Sequence, residues 1–286
     1  MAPMKIDLHT HSRVSDGTDT PTGLVMRAFD AGLDVIALCD HDSFGGVPEA
    51  QEAGKRIGVK VISGLEMSTE YAGRSVHLLG YGCDPYDRGL GEELARIRVG
   101  RTERIPAMLQ RLAELGLPVT VEDLQAAAHG APVIGRPHVA DALVAKGYAA
   151  DRDEAFARWL HDGGPAYVSR YACPLERAID LVHDARGVAV IAHPWSRGTR
   201  EVLTAPYLES LVTTHGLEGI EVDHPDHDED TRSLLFEMGA RLGLIRTGSS
   251  DYHGTGKKNN PLGANLTRPS AYRDLTSRIR RRGGVV

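Results

Sequence analysis

The sequence predicts an α/β protein built on parallel strands and interrupted by a helical insertion, and three observations carry that prediction. Short β-branched runs alternate with helical stretches up to Tyr81, the same alternation resumes after Arg186, and the residues between them show helical spacing instead. Repeated β-then-α units put parallel strands under a cover of helices, as either a barrel or a doubly wound sheet. Residues 5–8 read as the first strand, and Thr20-Pro21 supplies an N-cap and a first-turn proline for a helix ending near Gly32. Residues 35–38 form the second strand, followed by a helix over about 47–57 that stops at Gly58, and residues 60–62 form the third. Residues 64–71 and 75–81 read as a hairpin about Ala72-Gly73. Downstream come strands at 188–192, 219–222 and 244–247, with helices at 206–215 and 228–242 and a terminal helix over about 272–282. Between Asp84 and Ala172, Leu94, Ile97, Ile105, Met108, Leu109, Leu112 and Leu115 recur at helical spacing, as do Val139, Leu143 and Val144. Ala166-Tyr167-Val168 is the one strand signal there.

Composition narrows the class. The 286 residues are 41% apolar and 25% charged, which excludes a disordered, collagen-like or coiled-coil chain and allows one large domain or two ordinary ones. Against 33 Lys and Arg stand 39 Asp and Glu, a net charge of −6. That argues against a stable complex with long nucleic acid and leaves room for small anions where positive charge concentrates. No run of ~18 apolar residues and no charged-then-apolar leader is present, so a soluble, unexported protein with no membrane partner is expected. Cys39, Cys83 and Cys173 form no CxxC pair, so neither a disulfide framework nor a cysteine zinc site is indicated, and a reducing cytoplasm fits.

The thirteen histidines carry more information. His9 and His11 follow the first predicted strand, Asp40 and His41 the second, Glu66 the third, His193 the strand at 188–192, Asp223 and His224 the strand at 219–222, and Asp251 and His253 the last. Each lies at a strand's C-terminal end, the rim where parallel β/α proteins build their sites. His9-x-His11 on an extended segment aims two imidazoles the same way. Imidazole with carboxylate and no thiolate suits zinc, manganese or iron and disfavours a purely structural zinc.

Asp7-Leu8-His9-Thr10-His11, Asp16-Gly17, Cys39-Asp40-His41-Asp42, Gly64-Leu65-Glu66, His77, His193-Pro194 and Ser250-Asp251-Tyr252-His253 together resemble the PHP (polymerase and histidinol phosphatase) family. The resemblance implies a distorted seven-stranded β/α barrel carrying two to three divalent ions, manganese before zinc or iron, and phosphoester hydrolysis. By position, one ion takes His9, His11, Glu66 and Asp251; a second shares Glu66 and adds His77 and His193; a third takes Asp16, His41 and His253. Cys39 stands where the family usually has Thr, a departure that precedes the ligands and leaves them intact. The barrel is expected over residues 1–83 and 173–286, with a helical, substrate-capping insertion over 84–172. Ile134-Gly135-Arg136-Pro137-His138, residues 164–170 and Glu221-Val222-Asp223-His224-Pro225 are similar to bacterial 3′,5′-nucleoside bisphosphate phosphatases, a group that includes enzymes trimming short RNA from the 5′ end.

The expected chemistry follows from charge. Three divalent ions against Asp16, Glu66, Asp251 and a bridging hydroxide leave about +2, a match for a phosphate monoester dianion, and the hydroxide attacks in line. His224 is a candidate acid for the leaving oxygen. A second phosphate calls for guanidinium forks, with Arg136 and Arg170 as candidates, His138 beside them and Arg197 as a further possibility. Asp40 is expected to orient a ligand histidine, and Asp223 either to accept a hydrogen bond at the rim or to support a ligand from behind. His129, His161, His183, His215 and His227 read as surface or capping residues, and residues 278–282 as a solvated basic face rather than an RNA contact. Residues 254–258 lack the preceding strand of a phosphate loop and read as a rim loop. The favoured activity is removal of the 3′-phosphate from adenosine 3′,5′-bisphosphate and related nucleotides by a metal-activated hydroxide. The alternatives are 5′-to-3′ exonuclease action on short RNA and an inactive metal-binding regulatory module; the second predicts missing ligands, and every ligand position is filled. Oligomeric state is left open.

Overall fold

The computed structural model describes residues 3–286. Its strands are β1 (Ile6–Thr10), β2 (Val35–Leu38), β3 (Lys60–Tyr71), β4 (Arg74–Tyr81), β5 (Cys173–Pro174), β6 (Val188–Ala192), β7 (Gly219–Asp223) and β8 (Ile245–Gly248). Seven of them run in the order β1-β2-β3-β4-β6-β7-β8, with the short β5 attached to β3. β4 pairs antiparallel on both sides, whereas the β1/β2, β2/β3, β6/β7 and β7/β8 pairs are parallel. A parallel bridge from Thr10 to Tyr252 and a bond from the His11 amide to the Tyr252 carbonyl (2.8 Å) draw β1 toward the end of β8. The result is a nearly closed seven-stranded barrel.

Helices α1 (Pro21–Asp30) and α2 (Val47–Ile57) cover β2 and β3 through Leu24, Val25, Ala28, Ala50 and Ala53, which pack against Ile36, Leu38 and Val61. Thr20 caps α1 by accepting from the Gly23 amide. On the other side α8 (Leu175–Asp184), α9 (Ala205–His215) and α10 (Glu229–Arg241) bury Ile179, Leu208 and Leu235 against Leu78, Ile191 and Ile220. Tyr272, Leu275 and Ile279 of α11 (Pro269–Arg282) pack with Ile6, Val35, Ile62, Val190 and Ile245 in a further cluster.

Between β4 and β5 the chain is helical: α3 (Arg88–Glu103), α4 (Ile105–Glu114), α5 (Val121–Ala128), α6 (Arg136–Ala145) and α7 (Arg152–Ala155), the last running into a π-helical turn over Phe156–Leu160. Its apolar residues from Ile105 to Ala166 form their own core around Met108, Leu112, Val139 and Leu160, but Leu90, Leu94 and Ile97 of α3 belong to the barrel's cluster. The strand expected at Ala166-Tyr167-Val168 does not form; Ala166 donates to Trp159 and Tyr167 to Gly164, so their hydrogen bonds close turns instead of a ladder. The predicted third strand and first hairpin arm are one continuous β3, which pairs with β2 as far as Ser63 and with β4 from Gly64 onward. Glu66 therefore sits inside a strand rather than after one. No described helix is long and apolar enough to cross a membrane, and all three cysteines are free and buried.

Candidate metal centre and adjoining arginine pocket

The rim gathers nine side chains into one buried basin. His9 and His11, at the end of β1, bring their Nε2 atoms to 3.0 Å from each other. His11 Nε2 lies 3.2 Å from Glu66 Oε2 and 3.4 Å from Asp251 Oδ1, and His9 Nε2 lies 3.4 and 3.7 Å from the same two oxygens. Across Glu66, Oε1 meets His77 Nδ1 at 2.7 Å and His193 Nε2 at 3.0 Å. Asp16 approaches His253 Nε2 at 3.2 Å and His41 Nε2 at 3.6 Å. Backbone strain helps the convergence: His193 and Asp251 hold φ of 27° and 50°, sparsely populated values that surrounding structure must enforce. Gly17 permits the tight turn behind Asp16, since a Cβ there would stand 2.6 Å from the His11 carbonyl oxygen.

These residues fit divalent cations. Two imidazole nitrogens face each other across two carboxylates, and among the described residues the buried His41 Nδ1 and Asp251 Oδ1 have no hydrogen-bond partner, an arrangement of converging lone pairs that buried polar groups avoid unless a cation joins them. Three groupings have ligand atoms mutually within reach of one ion: His11, Asp16, His41 and His253; His9, His11 and Asp251; and His41, Glu66 and His77. Burial pushes the imidazole of His9 down, but the carboxylates of Glu221, Glu66 and Asp251 hold it well above its usual value. His11 is likewise raised to about 9 by Asp251 and Glu66 against burial. The basin is a negative well. Burial dominates at His193 and His253, which fall to about 3 and 4 and stay neutral, as ligation requires.

One carboxylate in this network escaped the sequence reading. Glu221, fully buried on β7, accepts from the His193 amide at 2.8 Å and from Ser249 Oγ, and lies 3.3 Å from His9 Nδ1. It fixes which ring nitrogen of His9 faces the basin. Its signal was available: a charged residue in the apolar strand Gly219-Ile220-Glu221-Val222 must have an internal partner. Asp40, expected to hold an imidazole, instead accepts from the Ser12 amide (2.8 Å), Ser12 Oγ (2.7 Å) and Ser15 Oγ (2.7 Å), shaping the turn that carries His11 and Asp16. His224 is wholly buried, accepts the Asp226 amide at Nδ1 (3.0 Å) and sets Nε2 3.3 Å from Asp251 Oδ2. Its proton is thereby committed to Asp251, and its place suits orienting that carboxylate better than protonating a leaving group. Lys257 also pairs with Asp251.

Beside the basin the helical segment supplies guanidiniums. Asp42, next to His41, takes Arg101 Nε at 2.6 Å, and Arg101 Nη2 also donates to Ser68 Oγ at 2.6 Å. Burial and the charges of Arg170, Arg136 and Arg101 push Arg104 down to about 8. Arg104 is 6% exposed and its Nε has no hydrogen-bond partner among the described residues. Burial and Arg101 bring Arg170 to about 9, while it donates to the Tyr171 carbonyl at 3.0 Å. Arg136 donates to the Leu160 carbonyl at 2.9 Å and pairs with Asp162. Sequence reasoning singled out Arg136 and Arg170 and passed over Arg101 and Arg104, whose spacing on α3–α4 looks like any solvated helix face. His138 is buried on α6 and accepts the Gly135 amide at 3.1 Å. Arg197 is exposed on a strained loop (φ 53°) and its charge bears on His77 and His193.

The remaining expectations sort as follows. His129 and His161 are exposed helix ends, while His183 and His215 pair with Glu218 (2.9 Å) and Asp180 (3.0 Å). His227 is a correction: it is 3% exposed, with Nδ1 2.8 Å from the Val222 carbonyl oxygen, because the turn after β7 folds inward. Asp223 is half-buried, and its carbonyl accepts the Ser249 amide at 2.9 Å. Arg278 and Arg282 are engaged by Asp274 and Glu218. Residues 254–256 form a 3-10 turn on the rim against Thr18.

The chain matches the PHP domain family over residues 7–91. It is 34% identical over 280 residues to a 3′,5′-nucleoside bisphosphate phosphatase of Chromobacterium violaceum, covering 96% of this chain and 98% of that one. It is 33% identical over 252 residues to a 5′-3′ exoribonuclease of Haemophilus influenzae, covering 87% and 90%. A crystal structure from Bifidobacterium adolescentis, provisionally described as a metal-dependent phosphoesterase, superposes with a TM-score of 0.91 at 36% identity over 97% of this chain and 98% of its own. Similarity of that extent, on a rim that assembles the nine histidine and carboxylate side chains, makes this chain a member of the PHP family.

Proposed function

We propose that this chain is a metal-dependent phosphoesterase that removes the 3′-phosphate from 3′,5′-nucleoside bisphosphates such as adenosine 3′,5′-bisphosphate. One observation carries the reading: a basin of histidines and carboxylates suited to cations adjoins a cluster of buried and half-buried guanidiniums suited to an anion, joined through His41-Asp42 and Arg101. A substrate with two phosphates satisfies both. The relative from Chromobacterium violaceum supports the same substrate class.

His9, His11, Glu66 and Asp251 would hold one ion, Glu66, His77 and His193 a second, and Asp16, His41 and His253 a third. Divalent ions there would polarise the phosphoryl oxygens and make a water nucleophilic near neutral pH. The donor set of imidazole and carboxylate suits manganese, with zinc or iron as alternatives. The protein's own part is positioning. Glu221 and His224 fix His9 and Asp251. Arg101, Arg104, Arg136 and Arg170 would grip the 5′-phosphate, so that the nucleoside reaches the basin 3′-side first, with residues 84–172 acting as the cap. The three free, buried cysteines fit a cytoplasmic protein.

A second reading, release of 5′-nucleotides from short 5′-phosphorylated RNA, uses the same two halves on a diester and is supported by the relative from Haemophilus influenzae. The test is turnover, after metal loading, of adenosine 3′,5′-bisphosphate, its 2′,5′ isomer, histidinol phosphate and a 5′-phosphorylated tetranucleotide. The proposal expects the 3′,5′-bisphosphate to lead; preference for the tetranucleotide selects the second reading, and preference for histidinol phosphate by orders of magnitude rejects both.

A further inference from the structure

The helical segment between β4 and β5 grips the rim beside one candidate cation subsite. Arg152, at the start of α7, has an 11% exposed side chain. Its Nε and Nη2 donate to the two carboxylate oxygens of Asp141 on α6, both at 2.6 Å, and its Nη1 donates to the main-chain carbonyl of Asp16 at 3.0 Å. Gly256, three residues beyond His253, is shaped to let it pass: a Cβ there would stand 2.1 Å from Arg152 Nη1. On the far side Arg98 Nη1 donates to the Asp42 carbonyl at 2.7 Å and Arg101 Nε to its carboxylate at 2.6 Å. Asp42 directly follows His41 and sits at φ 53°. Among the described residues, no hydrogen bond from the helical segment reaches His9, His193 or their immediate chain neighbours.

The segment therefore buttresses the chain at Asp16, at Asp42 beside His41 and near His253; Asp16, His41 and His253 are three members of one convergent group. We infer that the helical segment completes the Asp16–His41–His253 cation subsite, with Arg152 as its main positioning residue. The inference rests on the reading that the basin holds divalent ions. A forked, charge-assisted pair with Asp141 holds Arg152 rigid, so Arg152 fixes the peptide that presents the Asp16 carboxylate. Without it the described hydrogen bonds tie the Asp16 turn only from the barrel side. The same segment carries Arg104, Arg136 and Arg170, so an anion bound there seats the segment and tightens the ion at this subsite, and the ion tightens the anion by the same factor.

The experiment is calorimetric titration of the full-length metal-stripped protein with Mn2+, with metal content measured after desalting, with and without saturating adenosine 5′-monophosphate. The wild type is expected to take three ions, the third more tightly with the nucleotide. Arg152→Ala should keep two ions at wild-type affinity and bind the third ~10–100-fold more weakly, with the nucleotide effect reduced. Arg152→Lys should fall between them, because an ammonium keeps the charge and loses the fork. Arg158→Ala, which removes an exposed pair with Glu154 nearby, should match the wild type. If Arg152→Ala does not fold, Arg152→Lys and Asp141→Asn read the same third step. Three ions bound by Arg152→Ala at wild-type affinity, loss of all ions together, or only two steps in the wild type overturns the inference. No ion bound by the wild type overturns the reading beneath it.

Discussion

The cleft has two halves with opposite deficits. In the basin, Asp16, Glu66 and Asp251 crowd against His9, His11, His41, His77, His193 and His253, and His41 Nδ1 and Asp251 Oδ1 are left without a hydrogen-bond partner among the described residues. In the arginine pocket, Arg101, Arg104, Arg136 and Arg170 crowd one another with Asp42 and Asp162 as the acidic partners. Burying like charges is costly unless an opposite charge joins them. On the proposed reading, cations would complete the barrel half and an anion the helical half. On that reading neither half by itself specifies a bisphosphate, and their adjacency would.

Four measurements break or sharpen that contrast. The largest effect is expected at Glu66, the carboxylate within 3.4 Å of His9, His11, His41, His77 and His193. Glu66→Gln should lower bound metal and reduce turnover to background; full metal content with normal turnover would dissolve the cationic half. Next is Arg104→Ala, which should cost kcat/KM for the 3′,5′-bisphosphate ~10–100-fold, as loss of a hydrogen-bonded charge does. Turnover of a nucleoside 3′-monophosphate, with no second phosphate to hold, should change little. Equal losses on both substrates would mean the arginines serve the fold and not the anion.

Glu221→Gln should weaken metal affinity by ~10–100-fold while leaving the protein folded, because it loosens His9 and the His193 main chain together; unchanged affinity would remove Glu221 from the site. The smallest effect concerns acid. Burial pushes Asp42 up, but Arg101, with Arg170, His41 and the Ser68 amide, outweighs it and holds the carboxyl below its usual value. A depressed carboxylate contributes stability that is complete above its unfolded pKa, ~4, and is lost as pH falls through the lower folded value. Arg101→Gln should therefore flatten the fall in melting temperature on acidification below about pH 4; an unchanged acid slope contradicts this assignment.

The two halves also differ in how far the sequence announced them. Ligand types at strand ends are legible because the strands are apolar and short, so His9, His41, His193 and Asp251 stand out against Ile, Val and Leu. Glu66 was located correctly but on the wrong element, since β3 continues through the residues read as a separate hairpin arm. Glu221 lay inside a strand, where only its cost of burial marks it. Arg101 and Arg104 were hidden in a chain with 33 basic residues, because helical spacing does not say which face a guanidinium takes until the partner surface exists. Asp40 shows the converse: its place beside His41 suggested a bond to an imidazole, and the fold turned it toward Ser12 and Ser15.

The most direct test of a cation basin joined to an anion pocket is an anomalous diffraction map from crystals grown with Mn2+ and adenosine 5′-monophosphate. The account predicts manganese peaks among His9, Glu66, His193 and Asp16, and the nucleotide's phosphate among Arg101, Arg104, Arg136 and Arg170. A basin without manganese, or a phosphate seated away from those four arginines, would contradict it.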